Sequence, residues 1–76
     1  MQKWEYAVGF HDIDTKDVLV NNEQFDGVPV MLALMGEKGW ELAGTSTYNV
    51  SHHEGTTIAS TYTNYEYFYF KRPLEA

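Results

Sequence analysis

The chain offers one helix candidate, Val28 to Lys38, and that segment is apolar nearly all the way round. Val28, Met31, Leu32 and Met35 fall at i, i+3, i+4 and i+7, a full helical stripe. Val30, Ala33 and Leu34 lie off that stripe and are apolar too. A helix without a polar face is ordinarily covered on both sides, and 76 residues supply material for a single domain, residues 1–76. The second cover is therefore expected from another copy of the chain, with Val30, Ala33 and Leu34 as the oligomer interface. Shortness points the same way. Below about 70–80 residues a lone core rarely contributes more than ~3–5 kcal/mol, and a chain without cysteine has no disulfide to add.

The helix carries its own boundary signals. Pro29 suits the first turn, where its missing N–H costs little. Asp26 is a candidate N-terminal cap. Gly39 is placed for a left-handed C-terminal cap, with Lys38 beside the negative end of the helix.

The rest of the chain reads as β-structure. Trp4, Tyr6, Val8 and Phe10 alternate with Glu5, Ala7 and Gly9, the period of a strand with one buried face. Val18-Leu19-Val20 is a short strand candidate that Asn21-Asn22 stops. Trp40 to Val50 reads as a strand interrupted by Gly44, which marks a bulge or a close backbone approach. Ser51-His52-His53-Glu54-Gly55 has turn composition, and Thr56 to Phe70 is a long β-prone run, broken near Asn64 and ended by Pro73. The expected fold is α+β: a small antiparallel or mixed sheet of three or four strands, with one helix packed on one face. A strand–helix–strand crossover leaves room for the last strand between the first two. Trp4, Trp40, Phe68 and Phe70 are the expected aromatic core.

Three blocks stand out: Lys3-Trp4-Glu5-Tyr6, then Gly36-Glu37-Lys38-Gly39-Trp40-Glu41-Leu42, then Phe70-Lys71-Arg72-Pro73. Together they resemble the domain of unknown function 4177 family of small bacterial and phage proteins, with its KWEY start, LGxxGWEL centre and FKRP end. The resemblance implies a compact α+β fold and carries no assigned activity. The family's helix usually has polar residues where Ala33 and Leu34 stand here. His11 to Gly27 and Asn49 to Asn64 have no counterpart in the pattern, so whatever is particular to this chain is expected there.

Composition excludes several partners. Five Lys/Arg against 11 Asp/Glu give a charge of −6, unsuited to duplex nucleic acid or an anionic membrane surface. No apolar run approaches the ~18–20 residues that span a bilayer, and no segment reads as a signal peptide; a cytoplasmic location is expected.

Residue chemistry does not assemble into a catalytic set. His52-His53-Glu54 is the one histidine cluster, but adjacent residues on a turn diverge, and a metal site would need His11 or a partner's ligand besides. Asp12, Asp14 and Asp17 have the composition of a calcium loop, yet Asp17 stands where an EF-hand counted from Asp12 needs glycine. Glu5 and Glu41 are candidates for a pair across neighbouring strands, on the sheet face opposite their tryptophans, where two wet carboxylates gain no useful acid–base poise. No serine sits in a strand–elbow–helix context, and Gly36 and Gly39 end a helix where phosphate cradles begin one. The chain is read as a non-enzyme with no cofactor and no metal.

Hydroxyls and rings are more informative. From Thr45 to Thr63, nine of 19 residues are Ser or Thr. Uncharged donors beside aromatic rings suit a flat polar ligand held by stacking and hydrogen bonds. Tyr48, His52, His53, Tyr62, Tyr67 and Tyr69 are the candidate ligand-binding residues, with Lys71 and Arg72 adding phosphate-binding charge. The expectation is a small-ligand-binding module acting as a homo-oligomer. The family's occurrence in phages implies one concrete version, sequestration of a nucleotide-derived signal of host immunity, with Lys3 joining Lys71 and Arg72 across subunits. The alternative is a protein–protein adaptor whose acidic surface docks a basic partner.

Overall fold

A computed structural model describes the backbone of residues 1–53 and 60–75 and the side chains of residues 1–49 and 64–75. Among these, the chain runs β1 (Trp4–Asp12), β2 (Val18–Val20), β3 (Glu23–Phe25), α1 (Val28–Glu37), β4 (Glu41–His53) and β5 (Ser60–Pro73). The strands form one antiparallel sheet in the order β3-β2-β1-β5-β4. The class is α+β, with β5 seated between β1 and β4 as the crossover rule predicts. The described strands number five, which corrects the expectation of three or four. The difference lies at Asn21-Asn22, whose φ values of 50° and 66° make a two-residue hairpin between Val20 and Glu23. Asparagine tolerates positive φ well enough to form such a turn, so the pair that reads as a stop is the connection to a further strand.

The helix is held by few side chains. Met31 and Met35 are buried and Val28 is partly so, whereas Leu32, placed on the inward stripe by its spacing, is exposed. Gly27, with φ 104°, is the N-cap in place of Asp26, and no side chain caps the first turn. At the other end Gly39, with φ 88°, supplies the left-handed residue. The Trp40 N–H donates to the Met35 carbonyl at 3.0 Å and the Gly39 N–H to the Gly36 carbonyl at 3.0 Å, the two bonds of a Schellman cap.

The helix lies on the face of β1 that carries its smallest residues. A Cβ at Gly9 would stand 2.9 Å from the Met31 sulfur and 3.3 Å from the Phe70 ring, so the absent side chain is what lets Met31 reach the sheet. Ala7, Val18, Val20, Phe25, Met31, Met35, Phe68 and Phe70 form the core, with Trp40 packed against its margin. Phe68 and Phe70 are thus core residues as expected. Trp4 is exposed, which corrects its assignment: it shares the opposite face with Tyr6 and Val8, away from the helix. Size alone points to the wrong side of β1.

Leu42 pairs with Phe70 and Gly44 with Tyr69, leaving Ala43 as the bulged residue near the predicted interruption. No atom approaches within 4 Å of a Cβ at Gly44, so it serves a bulge and not a close approach. The β1–β5 ladder ends at Asp12–Tyr65, whereas the β4–β5 ladder continues to His53–Ser60. The hairpin therefore extends past the body. The radius of gyration is 15.8 Å, against about 11 Å for a compact domain of this length. No helix among the described residues is long and apolar enough to cross a membrane.

Candidate functional site

Direct partners in an antiparallel ladder share a face, so the register sorts the predicted residues. Tyr48 pairs with Tyr65, Ser46 with Tyr67, and Gly44 with Tyr69; Phe10 pairs with Tyr67, Val8 with Tyr69 and Tyr6 with Lys71. Tyr48, Tyr67, Tyr69 and Lys71 therefore stand together on the face away from the helix, beside Trp4, Tyr6, Val8 and Phe10. The rings are fixed by neighbours. Phe10 sits 5.1 Å from the Tyr65 ring and 5.7 Å from the Tyr67 ring, both tilted. The Ser46 and Tyr69 hydroxyls are hydrogen-bonded at 2.9 Å. The Lys71 ammonium lies 4.5 Å from the Trp4 ring centroid, a cation–π contact. Tyr65 is not among the predicted ligand residues, although the alternation with Tyr67 and Tyr69 already places it there.

Arg72 is separated from this group. Successive strand residues point to opposite faces, so the neighbour of Lys71 projects towards the helix side. There Arg72 is ion-paired with Glu5, donates from Nη1 to the Lys38 carbonyl at 2.9 Å and stacks 4.2 Å from the Trp40 ring centroid. One guanidinium thus clasps the start of β1, the end of α1 and the end of β5. The three sequence blocks Lys3–Tyr6, Gly36–Leu42 and Phe70–Pro73 converge at this clasp. An open cleft of about 450 Å³ lies beside it, lined by Glu5, Lys38, Gly39, Leu74 and Glu75. The side chains of His52, His53 and Tyr62 lie outside the described residues.

Glu5 and Glu41 do not form a pair across neighbouring strands. β5 lies between β1 and β4, Glu5 stands opposite Arg72 and Glu41 opposite Lys71, so the two carboxylates occupy opposite faces two strands apart. His11 Nδ1 is hydrogen-bonded to the Glu66 carboxylate, the acceptor, at 3.0 Å. In the acidic loop, the Asp12 carboxylate accepts from the Asp14 and Thr15 backbone N–H groups, and Asp14 accepts from the Asn64 N–H at 3.2 Å. The Ile13 N–H in turn donates to the Asn64 carbonyl at 2.9 Å. Asp12 thus braces the β1–β2 turn, and Asp14 with the Ile13 N–H fastens it to β5. Among the described residues no three metal-ligating side chains are gathered. No protein-family model, curated protein or solved structure matches the chain.

Proposed function

We propose that this chain is a non-enzymatic binding module that works as a homo-oligomer and takes a flat, polar, ring-bearing ligand of the nucleotide class. One observation carries the reading: Tyr48, Tyr67, Tyr69 and Lys71 share an open sheet face, where rings offer stacking, hydroxyls offer hydrogen bonds and the ammonium offers charge. Stacking on tyrosine is worth ~1–3 kcal/mol per base, a contribution that does not depend on net charge. Self-association through Val30, Ala33 and Leu34 is supported by their exposure on a helix with no polar face. The resemblance to the domain of unknown function 4177 family, with its phage members, supports sequestration of a nucleotide-derived immune signal as the specific form. Arg72 has no part in this ligand surface, because it lies on the opposite face of the sheet from the tyrosines.

The reading is tested by thermal shift and calorimetry with a panel of cyclic and linear nucleotides. A ligand at a hundredfold excess over its dissociation constant stabilises the folded chain by about 2.7 kcal/mol, and Tyr69→Ala should abolish that gain. No shift with any nucleotide at millimolar concentration overturns it. Exposed Asp14, Asp17, Glu23, Asp26 and Glu37 favour a second reading, an acidic docking surface. Salt-sensitive binding of a basic peptide, with no response to nucleotides, would select it.

A further inference from the structure

We infer that the aromatic face of the sheet is itself a self-association surface, on which the same face of a second copy packs sheet against sheet. This is a contact separate from the helix interface proposed above. It rests on that proposal only for what the paired faces enclose.

Three observations carry it. The first is area. Trp4, Tyr6, Val8, Tyr48 and Tyr69 are 38, 70, 47, 57 and 40% exposed, which at ~150–250 Å² per aromatic side chain leaves on the order of 500 Å² open. Half-buried Phe10, Leu19, Tyr65 and Tyr67 adjoin them. Two copies would bury about 1,000 Å² from the five exposed residues alone, the threshold a specific interface must clear. A patch of this size on a single small domain is otherwise at the upper end of what monomers expose.

The second is charge. The chain carries −6, and two such chains repel. Yet the β1–β5 and β4–β5 ladders of this face hold one cation, Lys71, and two carboxylates. Glu41 is in register with Lys71, and Asp12 stands at the far end opposite Tyr65, where it is engaged by the Asp14 and Thr15 N–H groups. Lys71 is already drawn over Trp4. Most of the acidic surplus sits on the acidic loop, the short strands and the helix. The centre of the face, away from the Asp12 end, can meet its own copy without burying a net charge, which a nucleic acid or an anionic lipid surface would not permit.

The third is shape. Sheets pack face to face about 10 Å apart when their inner faces carry interdigitating side chains. Here Phe10, Tyr65, Tyr67 and Tyr69 are held by the Phe10–Tyr65 and Phe10–Tyr67 contacts and by the Ser46–Tyr69 hydrogen bond, so these four rings lose little side-chain freedom on docking. The pairing also changes the ligand site. Tyr48, Tyr67 and Tyr69 of one copy would oppose those of the other, turning an open strip into a slot lined by rings on both walls.

Light scattering on the intact chain without nucleotide separates the two contacts. Val8→Glu places a charge in the centre of the aromatic face at an exposed position, and Leu34→Glu does the same on the helix. If both contacts exist, each single variant retains a dimer of twice the 8.8 kDa chain mass and the double variant is monomeric. The inference is overturned if Leu34→Glu is a monomer at 100 micromolar, or if Val8→Glu has the mass of the unaltered chain. An unchanged mass for Leu34→Glu with a monomeric Val8→Glu instead removes the helix contact and leaves the sheet contact standing. Tyr6→Lys, at the most exposed ring of the patch, repeats the test should Val8→Glu fail to fold by circular dichroism.

Discussion

The two faces of the sheet are made by the same strands and end in opposite states. On the helix side, β1 presents Ala7 and Gly9, and β5 presents Phe68 and Phe70, so small residues on one strand make space for large ones on the next and for Met31 above them. On the other side β1 presents Trp4, Tyr6 and Val8, β5 presents tyrosines, and large meets large. Such a surface leaves no recess for a covering helix. Burial in this chain follows from which face the helix can approach, and apolar size by itself gives the opposite answer.

The sharpest way to break that contrast is Phe70→Ala. Phe70 is 1% exposed, and emptying its place should cost about 3–5 kcal/mol, comparable with the whole stability of a domain this small; urea titration should find the variant largely unfolded. If it unfolds like the unaltered chain, the helix side is not the core. Next in size is Gly9→Val, whose side chain must displace Met31 and crowd Phe70. A loss of about 1–3 kcal/mol by chemical denaturation is expected, together with weaker protection of α1 amides in hydrogen exchange.

Arg72→Met should cost about 1–2 kcal/mol, because the Glu5 ion pair is half-exposed and modest, while the Trp40 stacking and the Lys38 carbonyl bond add to it. Arg72→Lys should recover little of this, since an ammonium cannot serve all three partners in a planar fork. The smallest effect sharpens the comparison most. Tyr6→Ser, at dilutions where the chain is monomeric, should change unfolding by no more than about 0.5 kcal/mol. At higher concentration the loss should grow, because only the assembled state buries that ring.

Much of the frame is legible residue by residue. Gly39 announces its left-handed cap, the apolar spacing places α1 to within a residue of its observed end, Gly44 marks the bulge region, and the crossover argument puts β5 between β1 and β4. The failures have physical causes. β3 has three residues, too few for a period to show, and its turn looks like a terminator. Trp4 reads as core because alternation reveals that a strand has two faces without saying which one is covered; Gly9 holds that information, through the missing Cβ that admits Met31. For the site, the period of two groups Tyr67, Tyr69 and Lys71 correctly, and the same period excludes Arg72. The role of Arg72 as a clasp is illegible in the sequence because its partners Glu5, Lys38 and Trp40 are brought together only by the sheet order.

That order has a consequence for how the chain acquires its structure in time. β5 is the last of the described strands in sequence and the second from the edge in the sheet, and β1 and β4 have no ladder with each other. Until residues 65–73 emerge, β1 can fold only with the short β2–β3 meander, and β4 can pair only through its far end, Asn49–His53, with Ser60–Asn64. On a ribosome the domain would therefore close late, as β5 zips along β4 and takes its place beside β1, and Arg72 reaches the end of α1. The β1–β5 contacts, distant in sequence, make folding slow and leave the near half of β4 unpaired meanwhile. The uncharged run from Gly44 to Asn49 is then the stretch most open to wrong pairing, and the speed with which β5 arrives decides how much chain reaches the native sheet.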